Sequence, residues 1–170
     1  MSSLPELFEL VAFKLHPVAD VDAERLAGFL AGFVNDAYSE QNRITGVPRT
    51  DAEEVARDMT AGGLYMVRRG QEVVGTVHVR YEEGVVHLGM LAVSEKLQRK
   101  GLGRALITAT CAYAESLAAE SIELSFLEQV GWLEGYYEQF GFLRTGEVSE
   151  PQQGIRLVHM INMLEESRRR

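Results

Sequence analysis

The chain has 170 residues, 46% apolar and 25% charged, which fits one globular domain with a buried core. A formal net charge of −8 argues against nucleic acid as a partner and modestly favours a cationic one. One cysteine, Cys111, excludes an internal disulfide, no stretch nears the ~20 apolar residues of a membrane span, and Met1–Glu6 does not look like a secretory signal, so a cytoplasmic protein without membrane contact is expected.

Residues 7–15 read as a first strand. From Asp22 to about Tyr38 the pattern is helical, with Leu26, Phe29, Leu30 and Phe33 on one face and Asp20 or Asp22 as the cap. Residues 40–50 hold Gly46, Pro48 and Arg49 and read as a loop. Thr50-Asp51-Ala52-Glu53 fits a capping box with Thr50 as the cap, opening a second helix that Gly62-Gly63 stops near Thr60. A meander follows, with strands at 64–68, 72–81 and 85–93, the last apolar on both faces as a central strand is. Residues 101–119 form a helix whose apolar face is Leu102, Leu106, Ala109, Tyr113 and Leu117. A strand at 122–127, a short helix from Trp132 to about Gln139, and strands at 142–145 and 156–164 complete the chain. The loop between those last strands contains Pro151 and Gly154, and Arg168–Arg170 read as a solvated tail. The 85–93 strand, the long helix and the 122–127 strand make a β-α-β unit, so those two strands should be parallel. The fold class is α+β, with a mixed, mostly antiparallel sheet.

The most informative segment is Leu91-Ala92-Val93 followed by Gln98-Arg99-Lys100-Gly101-Leu102-Gly103-Arg104. A strand runs into a short loop that opens a helix. The first amides of a helix lack intrahelical partners and carry the positive end of the dipole, so that end attracts anions. Gly101 and Gly103 let a phosphate approach the backbone, and Arg99, Lys100 and Arg104 add charge of the right sign. Rival phosphate motifs fit poorly. The dinucleotide fingerprint requires a small residue where Leu106 stands, and no Gly-Lys-Ser/Thr triplet follows the glycines.

The run Gln98-x-x-Gly101-x-Gly103 after Leu91-Ala92-Val93 resembles the acyl-CoA signature of the GNAT superfamily of N-acetyltransferases. The order of elements is similar too: strand, two helices, three-strand meander, long helix, strand, helix, two strands. The resemblance implies a seven-stranded sheet flanked by helices and splayed between its fourth and fifth strands. Pantetheine would lie in that gap against Leu91, Ala92 and Val93, like an added strand. Amides from Arg99 to Arg104 would hold the pyrophosphate of acetyl-CoA, with Gln98 opening the loop, and no metal takes part.

Transfer of an acetyl group to an amine requires a base for the amine, a donor for the oxyanion and an acid for the departing thiolate. Tyr136-Tyr137-Glu138-Gln139-Phe140-Gly141-Phe142 resembles the family's second signature, in which a tyrosine faces the coenzyme sulfur. That resemblance assigns the acid to Tyr137, with Tyr136 as the fallback. A phenol near pKa ~10 is a weaker acid than a thiol near ~8.5, so a hydrogen bond serves better than full transfer. The helix departs from the family pattern: Val130 replaces an Asn that often contacts pantetheine, and Leu133 replaces a small residue. His87 falls where several family members place a base, and Val86-His87-Leu88 with Leu91-Ala92-Val93 is similar to that region of arylalkylamine N-acetyltransferases. Alternation puts His87 on one strand face with Gly89 and Leu91. His78, Glu123 and Glu128 are lesser candidates, and Ser125 stands where ribosomal-protein acetyltransferases carry a Glu.

The resemblance further implies an acceptor pocket built from residues 33–59 and 147–155. Asp36, Glu40, Asp51, Glu53 and Glu54 form an acidic rim there or a merely solvated face, and Asn35, Tyr38 and Arg49 are further lining residues on position alone. The expected activity is transfer of acetyl from acetyl-CoA to a primary amine of a small molecule or peptide. A non-catalytic acyl-CoA sensor and a longer donor such as succinyl-CoA are the alternatives. A homodimer through the final strands is a family-level expectation.

Overall fold

The computed structural model describes residues 2–8, 13–18 and 22–164. One seven-stranded sheet runs in the order β1-β2-β3-β4-β5-β7-β6. Its strands are β1 (Lys14–Pro17), β2 (Leu64–Arg69), β3 (Glu72–Glu82), β4 (Val85–Val93), β5 (Ser121–Leu127), β6 (Leu143–Gln152) and β7 (Ile155–Met163). Every neighbouring pair is antiparallel except β4–β5, which is parallel. The α+β class and the mostly antiparallel sheet are therefore as the sequence predicts.

Helices cover both faces. α4 (Leu102–Ser116) and α5 (Trp132–Glu138) lie on one side, where Leu102, Leu106, Ile107 and Ala114 pack against Val77, Val79, Val86 and Leu88. The predicted face of α4 is rotated slightly: Ile107 and Thr110 are buried, while Tyr113 and Leu117 are half-buried. On the other side α1 (Ala23–Ala37) and α3 (Ala52–Ala61) place Ala27, Leu30, Ala31 and Val55 over Leu64 and Met90. No helix among the described residues is long and apolar enough to cross a membrane.

Several boundaries differ from the sequence reading. The first strand starts later, since residues 4–7 form a turn in which the Leu7 amide donates to the Ser3 carbonyl at 3.2 Å; residues 9–12 lie outside the described residues. The 40–50 segment is not a loop throughout but holds α2 (Ser39–Thr45), closed by Gly46 at φ 72°. Asp22 precedes α1 with φ 65° and makes no side-chain cap bond, while Asp20 lies outside the described residues. The cap of α3 is Asp51, not Thr50: its carboxylate accepts the Glu54 amide at 2.8 Å. The Thr50 hydroxyl instead donates to the Glu54 carboxylate at 2.7 Å, so the box is shifted by one residue. The loop expected around Pro151 is largely strand, because β6 continues to Gln152 as the sheet's edge, where a proline costs no ladder bond. The tail Arg168–Arg170 lies outside the described residues.

Two features of the sheet position the site. β4 and β5 pair only where Val85, Val86 and His87 face Ser121, Ile122 and Glu123. Beyond His87 the strands part, as the splay requires. β4 also breaks its alternation once. Val86 and Leu88 pack on the α4 side, Met90 on the α1 side, and Leu91 and Val93 again on the α4 side. The break coincides with a bulge opposite Val77 and with φ 44° at Met90. Left-handed backbone at a non-glycine residue costs about 1–2 kcal/mol and gathers at functional sites. The buried Thr76 hydroxyl offsets part of that cost by donating to the Met90 carbonyl at 2.8 Å.

Candidate active site

The parting of β4 and β5 opens a cleft of ≈ 2480 Å³. Leu88–Val93 form one wall and Leu124–Leu127 the other. The floor of the V is the last paired residue of β4, His87, beside Glu123 of β5.

At the C-terminal end of β4 the chain makes a 3-10 turn (Glu95–Leu97) and enters α4. The Gln98 side-chain amide donates back to the Val93 carbonyl at 3.2 Å, fastening the loop to the strand. Arg99 has φ 60° and Gly101, the residue before α4, has φ 90°. This turn presents the first amides of α4 to the cleft, where Gln98, Arg99, Gly101, Gly103 and Arg104 are lining residues. A Cβ on Gly101 would meet open space, while one on Gly103 would lie 2.8 Å from the Tyr136 hydroxyl. The bare backbone therefore forms a cradle that fits a pyrophosphate. Leu102 sends its side chain into the core, so only its amide can take part, and Lys100 is exposed outside the lining. Arg104 leans over the Phe140 ring at 5.1 Å and donates to Gln139 at 3.1 Å, which bridges α4 to α5.

The two tyrosines of α5 diverge. Tyr136 reaches the start of α4 at Gly103. Tyr137 is buried among Phe126, Phe142 and Tyr136, with ring centroids at 6.2, 6.0 and 5.4 Å, yet it still borders the cleft. Burial, then the neighbouring Tyr38 and Tyr136, pushes the Tyr137 phenol far above its ordinary range, so it holds its proton at any physiological pH. Behind it, the Asn162 side-chain amide donates to the Phe140 carbonyl at 2.9 Å and fixes the turn through Gly141 (φ 88°). Sequence reasoning missed Asn162, because no local signal marks a strand residue that serves a distant helix end. Val130 is buried in the core and does not line the cleft, whereas Leu133 of α5 does, so α5 presents an apolar side chain to the cleft there.

His87 is half-buried and lies on the α1 side with Gly89. The bulge sends Leu91 to the opposite side, so the shared face expected for His87 and Leu91 is not formed. Gly89 and Leu91 line the cleft and the His87 side chain does not. His78 stands 4.0 Å from Asp58 of α3; burial lowers its pKa and Asp58 opposes the shift. Glu128 pairs with Arg156 at 3.2 Å, whereas exposed Ser125 lines the cleft.

On the α1 side the acidic rim narrows to Asp36 and Glu40. Asp51 caps α3, Glu53 pairs with Arg57 at 2.9 Å, and Glu54 is held by Thr50 and by Arg49 at 3.8 Å. Asn35 is a brace: its side chain both accepts the Thr50 amide and donates to the Thr50 carbonyl. Tyr38 and Arg49 do line the cleft, with the guanidinium 5.7 Å from the ring centroid.

A V between parallel strands, with a glycine-bearing turn at a helix start and two tyrosines along its walls, has the shape to take an extended, phosphate-bearing ligand. The sequence matches the acetyltransferase (GNAT) domain over residues 33–164. The chain belongs to the GNAT acetyltransferase family, built on an acetyl-CoA-binding fold. Its fold is similar to that of the ribosomal-protein-S18-alanine N-acetyltransferase from Escherichia coli (15% identity, TM-score 0.69, covering 89% of this chain and 93% of that one). An acetyltransferase from Streptococcus agalactiae is similar at 14% identity and TM-score 0.69, over 91% and 100% of the two chains. A putative acetyltransferase from Salmonella typhimurium, solved with its cofactor acetyl-CoA, is similar at 17% identity and TM-score 0.66, over 91% and 95%.

Proposed function

We propose that this chain moves the acetyl group of acetyl-CoA to a primary amine of a small molecule or peptide by direct attack. The observation that carries the reading is the continuity of one cleft from the Gly101–Gly103 cradle, past Tyr137, to Asp36 and Glu40. Donor and acceptor can meet in it without leaving water between them. Acetyl-CoA supplies the activated thioester, with its pyrophosphate on the amides of 99–104 and its pantetheine along Leu91–Val93. The bulge takes Met90 and Leu91 out of the β3 register, while Ala92 and Val93 stay paired with Thr76 and Gly75, and this supports a role for the freed backbone as hydrogen-bond donor to an oxyanion. Tyr137, holding its proton, donates a hydrogen bond to the departing sulfur. His87, at the floor of the V, accepts the amine proton through water, since its side chain is not itself a lining group.

Two measurements test this. Trp132 is the sole tryptophan, is 62% exposed and lines the cleft beside Tyr136. Acetyl-CoA should change its fluorescence saturably, and a flat titration would remove the donor assignment. A panel of amines assayed for released coenzyme A thiol tests catalysis. Thiol released with acceptor is expected; binding without any release would favour the sensor. With an active acceptor, His87→Ala should abolish the alkaline rise in kcat/KM, and an unaltered pH profile would discount it as the base.

A further inference from the structure

Trp132 opens α5, lines the cleft and is 62% exposed. An indole left open on a cleft wall offers a broad aromatic face to a ligand. Among the described residues its one ring neighbour is Tyr136, at 6.3 Å and 64°. Tyr136 in turn meets Phe140 at 5.4 Å and 72°, and the Arg104 guanidinium closes the row 5.1 Å from the Phe140 centroid. The three rings recur every four residues, so the row follows one side of α5 and braces the indole from within.

The sheet register tells what comes to that face. β4 and β5 are parallel and pair only at 85–87 and 121–123, so both strands end at the open mouth of the V. The turn into α4 follows β4 there, and α5 follows β5 there. From the mouth α5 leads back towards the base, because the next strand begins at Leu143, which stands level with Ile161 and, through it, with Glu123 at the floor. Tyr137 is the deep end of this series, against Phe126. The Tyr136 hydroxyl stands at the first turn of α4, 2.8 Å from where a Cβ on Gly103 would lie. Trp132 is one helical turn, about 5.4 Å, nearer the mouth than Tyr136. A coenzyme A thioester carries its groups in the same order: sulfur, pantetheine, pyrophosphate, adenosine. With the sulfur at Tyr137 and the pyrophosphate on the first amides of α4, the next group towards the mouth is the adenosine, and the side chain that meets it is Trp132.

We propose that Trp132 is the shelf on which the adenine ring of the donor stacks, so that the protein grips the adenosine end of the coenzyme as well as its phosphopantetheine arm. Every purine has a π face, and stacking it on an indole adds affinity without a hydrogen-bond code. The inference rests on the acetyl-CoA reading for the places of sulfur and pyrophosphate, but the shelf is testable without turnover.

The probes are coenzyme A and phosphopantetheine, which lacks the adenosine, titrated calorimetrically into the parent protein, Trp132→Ala and Trp132→Phe. The parent should bind coenzyme A at least about 10-fold more tightly than phosphopantetheine. Trp132→Ala should weaken coenzyme A by about 10-fold, whereas Trp132→Phe, which keeps an aromatic face, should stay within about threefold of the parent. Stacking itself is read with etheno-coenzyme A, whose modified adenine loses emission when it stacks. Its emission should fall on saturation of the parent and hold in saturated Trp132→Ala. Equal binding of the two ligands by the parent, an unchanged coenzyme A affinity in Trp132→Ala, or an emission loss that survives Trp132→Ala would overturn the proposal. The comparison within the parent needs no variant, so a poorly folding Trp132→Ala does not spoil the test. If coenzyme A binds with this dependence on Trp132 while no amine is acetylated, the acetyl-transfer reading fails and the shelf stands. If an amine is acetylated while Trp132→Ala binds coenzyme A as the parent does, the shelf fails and the reading stands.

Discussion

Tyr137→Phe is expected to lower kcat by about 100-fold and to leave the KM for acetyl-CoA within about twofold. The ring is held by Phe126, Phe142 and Tyr136, and a phenylalanine fills the same space, so folding and donor binding survive. What is lost is one hydroxyl at the edge of the cleft. In the parent that hydroxyl keeps its proton because burial, then Tyr38 and Tyr136, disfavour the phenolate. A group of this kind donates a hydrogen bond to developing negative charge and stays neutral over the working range of pH. The alkaline limb of the pH profile should therefore be the same in the parent and in Tyr137→Phe, although the rates differ. Steady-state kinetics across pH 6–9 check both statements. Tyr136→Phe provides the contrast: its hydroxyl lies at Gly103, so its loss should act on donor affinity and not on kcat. An undiminished kcat in Tyr137→Phe, or a large loss in Tyr136→Phe alone, would transfer the acid role to Tyr136.

The parts of the site that were legible in the sequence are those whose local pattern and tertiary role coincide. β4 is apolar on both faces because it is central, and its bounds in the structure, Val85–Val93, are those the sequence pattern predicts. The glycines after it mark a turn that only glycine makes cheaply, and Tyr137 precedes Gly141 at a spacing set by one helix end. The illegible parts lack such a signal. α2 buries no residue, so it carries no apolar period to read. β6 is an edge strand exposed on both faces along nearly its whole length, so its alternation is absent and Pro151 reads as a loop. The bulge at Met90 carries no glycine, and it moved Leu91 away from the face shared by His87 and Gly89. Asn162 gains its meaning from an element distant in the chain, the end of α5. Five acidic residues were equivalent by sequence, and only the packing of α3 separates Asp36 and Glu40 from the three that cap or pair.

Gly101→Val is expected to weaken acetyl-CoA binding by about tenfold or more, read as the midpoint of the Trp132 fluorescence titration. The reason is conformational, not steric. Gly101 has φ 90°, and a Cβ there would touch nothing within 4 Å. A β-branched residue is nonetheless excluded from that backbone region, at a cost of about 1–2 kcal/mol or more. The chain can relieve the strain by turning the loop, which rotates the 99–104 amides away from a bound pyrophosphate. It can instead keep the loop and lose stability, seen as a fall of about 2–8 °C in Tm. The two responses draw on the same strain, so a variant that binds normally must melt early, and one that melts normally must bind poorly. Gly103→Ala separates this from crowding: its Cβ would lie 2.8 Å from the Tyr136 hydroxyl, and that hydroxyl is the end of a side chain able to swing. Affinity lost in Gly103→Ala should return in the double variant Gly103→Ala, Tyr136→Phe, whereas Tyr136→Phe cannot rescue Gly101→Val. Normal binding together with a normal Tm in Gly101→Val would mean that the left-handed turn before α4 is not what presents the amides.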